Sequence, residues 1–80
     1  MIKVNVLFFG ATAEAVGVRE IAMDFAAETR SNEVFAAIKN KYPRLNEHKL
    51  LFSINQAYAD GDEPIQNGDE LAVFTPVSGG

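Results

Sequence analysis

Alternating apolar positions open the chain. Over Ile2–Phe9 (I-K-V-N-V-L-F-F), Ile2, Val4, Val6 and Phe8 share one side of an extended backbone, and Lys3, Asn5, Leu7 and Phe9 share the other. Period two predicts a strand, although Leu7 and Phe9 break the polar character expected of a solvent-facing side. Ala11–Val16 is short and alanine-rich, with Thr12 as a candidate N-cap and Gly17 as a natural stop, and predicts one or two helical turns. Arg19–Phe25 alternates again, Ile21, Met23 and Phe25 against Glu20 and Asp24, and predicts a second strand able to return antiparallel to the first. From Thr29 or Ser31 onward, Val34, Ile38 and Tyr42 recur every four residues with Phe35 and Ala37 beside them, the signature of a main helix. Pro43 ends it, because the residue before a proline avoids helical dihedrals.

Beyond the helix, Lys49–Asn55 predicts a third strand, with Leu50, Phe52 and Ile54 on one face and Leu51 on the other. Gln56–Ala59 is a short fourth strand ahead of an Asp60-Gly61 turn, and Asn67-Gly68-Asp69 marks a second turn. Glu70–Pro76 closes the pattern as a fifth strand, Leu71, Val73 and Thr75 alternating with Glu70, Ala72 and Phe74. Strands on either side of one helix predict an α+β fold of β-grasp (ubiquitin-like) type. It is a mixed four- to five-stranded sheet packed on one main helix, with the first and last strands parallel at its centre. No repeat or linker interrupts residues 1–80, which read as one domain with a flexible C-terminal tail from about residue 76.

Composition narrows the function classes. Eighty residues, 48% of them hydrophobic and six of them Phe, suffice for a small packed domain. With no cysteine there is no disulfide, no Cys-ligated metal and no cysteine nucleophile; with one histidine, a His-based metal site or a Ser-His-Asp triad is possible only around His48. A net charge of −4 argues against nucleic acid, whose phosphates require clustered Lys and Arg. No apolar run approaches the roughly 18–20 residues of a membrane span, and no signal-peptide pattern opens the chain, so a cytoplasmic protein is expected.

Five acidic residues, Asp60, Asp62, Glu63, Asp69 and Glu70, crowd two neighbouring turns. Their irregular spacing is unsuited to a metal site; they are expected to be solvated turn charges, the alternative being long-range attraction for basic partner surfaces. His48 lies in the polar connection Arg44–Lys49 and is assigned no role, while Lys39, Lys41, Arg44 and Lys49 suit the negative end of the helix dipole. No catalytic residue and no metal ligand is expected.

The chemistry is expected at the tail. Thr75–Gly80 spans roughly 20 Å when extended, and a Gly-Gly end is thin enough for a narrow channel in a partner. Its carboxylate can attack the α-phosphate of ATP if a partner supplies the nucleotide site. A frayed terminus would show the same residues.

The sequence resembles the small subunits of molybdopterin synthase, the MoaD family of ubiquitin-like sulfur carriers. The likeness rests on the I-K-V-x-V-L-F-F opening, Glu14-x-x-Gly17, Asn55-Gln56 and Asn67-Gly68-Asp69-Glu70. The ending Phe74-Thr75-Pro76-Val77-Ser78-Gly79-Gly80 completes it, and the residues stand in the family's order and spacing. Two positions depart from it. Thr75 stands where relatives commonly carry Pro, and Ala13 where some carry a basic residue, which puts one partner contact in doubt.

The resemblance implies a non-catalytic carrier. An E1-like enzyme would adenylate the Gly80 carboxylate using its own ATP, and sulfur would replace AMP as a thiocarboxylate. The tail, Val77, Ser78 and Gly79 included, would then enter the large synthase subunit, which is expected in a heterotetramer and passes the sulfur to a pyranopterin precursor. No cofactor is implied for the carrier itself. Lacking cysteine, the chain has no side chain for a persulfide, so carried sulfur must sit on the terminal carboxyl. A carrier for thiamine or tRNA thiolation, or a protein modifier, would use the same Gly-Gly device. Central parallel pairing of the first and last strands would align Leu7 and Phe9 with Ala72 and Phe74 on the non-core face. Phe9, Phe74 and Val77 are then the expected partner anchors, unless the short helix covers Leu7 or Phe9.

Overall fold

Five strands and two α-helices make up the chain in the computed structural model, which describes residues 1–76. In chain order they are β1 (Ile2–Phe8), α1 (Ala11–Val16), β2 (Glu20–Phe25) and α2 (Ser31–Lys41). A 3-10 helix (Pro43–Glu47), β3 (Leu51–Ile54), β4 (Ala57–Tyr58) and β5 (Glu70–Phe74) follow. The sheet order is β2-β1-β5-β3-β4. β1 runs antiparallel to β2 and parallel to β5, and β5 pairs antiparallel with β3. This is the expected β-grasp layout, with the parallel pair inside the sheet.

The core follows from the alternation. Val4, Val6 and Phe8 of β1 and Leu71 and Val73 of β5 point at α2, which presents Val34, Phe35 and Ile38. Phe35 stacks on Phe52 at a centroid distance of 3.8 Å, and Phe8 meets Tyr42 edge-on at 5.6 Å. Each fully buried aliphatic side chain contributes about 1.5–3 kcal/mol over its exposed state. α2 stops at Lys41, ahead of Pro43 as predicted, and Pro43 then starts the 3-10 helix, where its missing N–H costs nothing.

Several expectations are corrected. Thr12 is not an N-cap: Gly10, at φ 57°, holds that position, and Thr12 lies inside α1 with its side chain fully buried. α2 begins at Ser31, one of the two expected starts, and the Glu33 carboxylate accepts from the N–H of the preceding Arg30 at 2.9 Å. The connection Arg44–Lys49 is not uniformly polar, because Leu45 is completely buried. Ile65, between the two turns, is also core. β5 ends at Phe74, two residues short of the predicted Pro76.

Candidate functional site

The sheet's outer face is divided by its register. At one end, Lys3 lies opposite Asp24, and Asn5 lies between Ala22 and Glu70. At the other end, where β1 and β5 finish, Leu7 neighbours Ala72, Ala72 neighbours Ser53, and Phe74 neighbours Leu51. β4 adds Tyr58 opposite Ser53. The polar end is an ordinary solvated surface. The apolar end joins side chains from four strands where β5 leaves the sheet.

Phe9 follows β1 and is 52% exposed, so α1 does not cover it. Leu7, Leu51 and Phe74 are partly buried, and Tyr58 is 76% exposed. The Tyr58 ring leans on Phe74 at a centroid distance of 6.1 Å and a tilt of 45°. The structure therefore gathers the expected anchors Phe9 and Phe74 at one end of the face and adds Leu51 and Tyr58, which the sequence reading did not single out. For Tyr58 the available signal was an aromatic in a short alternating segment. Its partner strand could not be known without the fold. Val77, Ser78, Gly79 and Gly80 lie outside the described residues.

A shallow cleft of about 650 Å³ borders Leu7 and Phe9 on the β2 side, between α1 and the turn at Gly17–Arg19. Ala13 and Glu14 line it, so one of the two positions that depart from the family pattern, Ala13, sits on the rim of the patch. An exposed aromatic surface beside a shallow concavity fits a protein partner rather than a small molecule.

Asp60, Asp62 and Glu70 are exposed, as expected of solvated turn charges, whereas Glu63 and Asp69 are partly buried and accept several hydrogen bonds. Glu63 accepts hydrogen bonds from the Ser31 hydroxyl at 2.6 Å, the Asp60 N–H at 2.7 Å and the Gly61 N–H at 3.0 Å. Led by the Ser31 bond, these donors favour the charged carboxylate and hold its pKa down at about 2. Asp69 accepts from the Gln66 N–H and the Asn55 amide, and Asn55 in turn accepts from the Glu70 N–H. Among the described residues, no group of three or more His, Asp or Glu is placed to hold a metal ion, and no helix is long and apolar enough to cross a membrane. His48 is exposed at the end of the 3-10 helix and joins no site.

The model of the ThiS family matches residues 6–80. A molybdopterin synthase sulfur carrier subunit from Haemophilus influenzae is 42% identical over 95% of this chain and 98% of its own length. One of the same name from Caenorhabditis briggsae is 40% identical over the whole of both chains. Among solved structures, SAMP1 from Haloferax volcanii superposes with a TM-score of 0.85 at 26% identity, covering 98% of this chain and 99% of that one. A complex of subunits 1 and 2 of the molybdopterin-converting factor from Helicobacter pylori contains a chain that matches with a TM-score of 0.72 at 22% identity, covering 99% of this chain and 100% of that one.

Proposed function

The chain belongs to the ThiS family, and from that premise we propose that it is the sulfur carrier of molybdopterin synthase. The observation that carries this reading is the full-length similarity, at 42% identity, to a relative of that name. The apolar end of the outer sheet face supports it, because exposed aromatic side chains suited to a protein partner lie at the end of β5, the strand that residues 75–80 follow in sequence.

In this reading the Gly80 carboxylate attacks the α-phosphate of ATP in the site of an E1-like enzyme, releasing pyrophosphate. A sulfur donor then displaces AMP and leaves a thiocarboxylate. Phe9, Phe74 and Val77 dock against the large subunit, in a heterotetramer, while Ser78, Gly79 and Gly80 enter its active site. The acid–base groups for sulfur transfer to the pyranopterin precursor belong to that subunit. This chain supplies the anchor, the tail and the sulfur, binds no cofactor of its own and works in the cytoplasm.

Reconstitution with the large subunit and the activating enzyme tests the reading. Deleting Gly80, or adding one residue after it, is expected to abolish dithiolene formation while leaving large-subunit binding in place. Retained product formation would contradict carriage on Gly80. Sulfur delivery to a thiazole synthase or a tRNA thiolase, in preference to the large synthase subunit, would favour the other carrier functions.

A further inference from the structure

Thr12 carries a hydroxyl with no surface exposure, inside a short helix packed on the sheet. Threonine is not favoured inside a helix, and burying its hydroxyl is costly unless the group is bonded. Here it is fully engaged. The Phe9 N–H donates to Thr12 Oγ1 at 3.0 Å. The Thr12 hydroxyl has two acceptors for its single proton, the Phe9 carbonyl at 2.7 Å and the Val73 carbonyl at 2.9 Å.

These contacts sit where two backbones separate. The parallel register of β1 and β5 runs to the pair Phe8–Val73. Beyond it, β1 turns through Gly10 into α1, while β5 continues to Phe74. The backbone alone supplies one link past this point, the Phe9 N–H to the Val73 carbonyl at 3.1 Å. The Thr12 side chain adds the other, tying Phe9 on both its N–H and its C=O to the residue that precedes Phe74.

We propose that Thr12 is a positioning residue for the docking edge, its buried hydroxyl fixing the exposed Phe9 relative to Phe74 and the root of the tail. The inference rests on the docking role proposed for those two aromatics. An interface anchored by a few aromatics loses affinity when they must be ordered on binding, so a prearranged pair binds more tightly than a loose one. Removal of the hydroxyl should leave the fold standing. The Val73 carbonyl keeps the Phe9 N–H, and the Phe9 carbonyl keeps the Thr12 N–H at 3.2 Å.

The test pairs Thr12→Val, which keeps the volume and loses the hydroxyl, with Thr12→Ser, which keeps the hydroxyl. Amide hydrogen exchange in the free protein and Kd for the large synthase subunit are read on both. Thr12→Val is expected to speed exchange at Phe9 and Phe74 about tenfold relative to Val4 and Val6, and to raise Kd about tenfold, the scale of one or two buried hydrogen bonds. Thr12→Ser is expected to stay within about twofold of wild type in both.

Acceleration spread evenly over β1 and β5 would make Thr12 merely structural and overturn the proposal. So would a Thr12→Ser protein as weak as Thr12→Val, which would assign the effect to the methyl group. Should Thr12→Val not fold, Thr12→Ser decides alone, and weakened binding by it overturns the proposal. Phe74→Ala, measured alongside, separates the two readings. If it leaves Kd unchanged, the docking role fails while the exchange data still decide the role of Thr12. If it weakens binding and Thr12→Val does not, only the role of Thr12 fails.

Discussion

The ring of Tyr58 rests 6.1 Å from that of Phe74, reaching it across β3, although the two lie on strands that are not neighbours. This contact extends the apolar end of the sheet to its β4 edge and gives Phe74 a prearranged neighbour. Truncating Phe74 to Ala is expected to weaken large-subunit binding about 10–100-fold, the range of a central aromatic anchor. Far-UV circular dichroism should be unchanged. Tyr58→Ala should cost less, and the double variant should show a coupling of about 0.5–1.5 kcal/mol in a calorimetric cycle. Loss of cooperative unfolding in Phe74→Ala would instead make Phe74 a core residue.

Leu45 offers a sharper test of the fold. It is wholly buried within Pro43–Glu47, where Arg44, Asn46 and Glu47 are polar. Leu45→Ala should destabilise the domain by about 2–5 kcal/mol in urea unfolding, as for other core truncations. A change below about 0.5 kcal/mol, typical of a surface position, would place Leu45 outside the core.

Glu63 predicts an acid response. Its folded-state pKa, about 2, lies below the ordinary 4.5, so the unfolded chain binds the proton more readily. The stability this carboxylate confers is complete above about pH 4.5 and is lost as the pH falls towards 2. Thermal melts over that interval should fall more steeply for wild type than for Glu63→Gln. Equal slopes would show that the carboxylate does not hold the Asp60–Glu63 loop to the start of α2.

The β3–β4 hairpin turns through Asn55 and Gln56 at φ 49° and 72°. Two central residues with positive φ form the turn for which Asn-Gly is preferred. Asn55 also ties the turn to β5 through the Glu70 N–H and Asp69. Gln56→Gly is therefore expected to stabilise the domain by about 0.5–1 kcal/mol, since glycine relieves the left-handed strain. A lower melting temperature would contradict that account.

Local pattern made much of this fold legible. The Ile2–Phe8 alternation placed β1, Gly17 in its left-handed conformation ended α1 where expected, and Val34 and Ile38 marked the buried stripe of α2. Phe9 and Phe74 stood out because each is apolar at a position facing away from the core. The residues that local pattern does not reveal depend on distant partners. Leu45 is one apolar residue among polar neighbours and shows no period. Thr12 has the signature of a cap, and only the approach of Val73, 61 residues away, turns its hydroxyl inward. Glu63 looked like a solvated charge because Ser31, which binds it, lies 32 residues earlier. Tyr58 belongs to a two-residue strand, too short for alternation to assign a face.

In the proposed role, the chain carries sulfur on the carboxyl of Gly80. Intact-mass spectrometry after incubation with the activating enzyme, ATP and a sulfur donor tests it most directly. The expected result is a mass increase equal to one oxygen replaced by sulfur, located by fragmentation to the C-terminal glycine and absent when ATP is omitted. An unchanged mass, or sulfur located anywhere else in the chain, would contradict it.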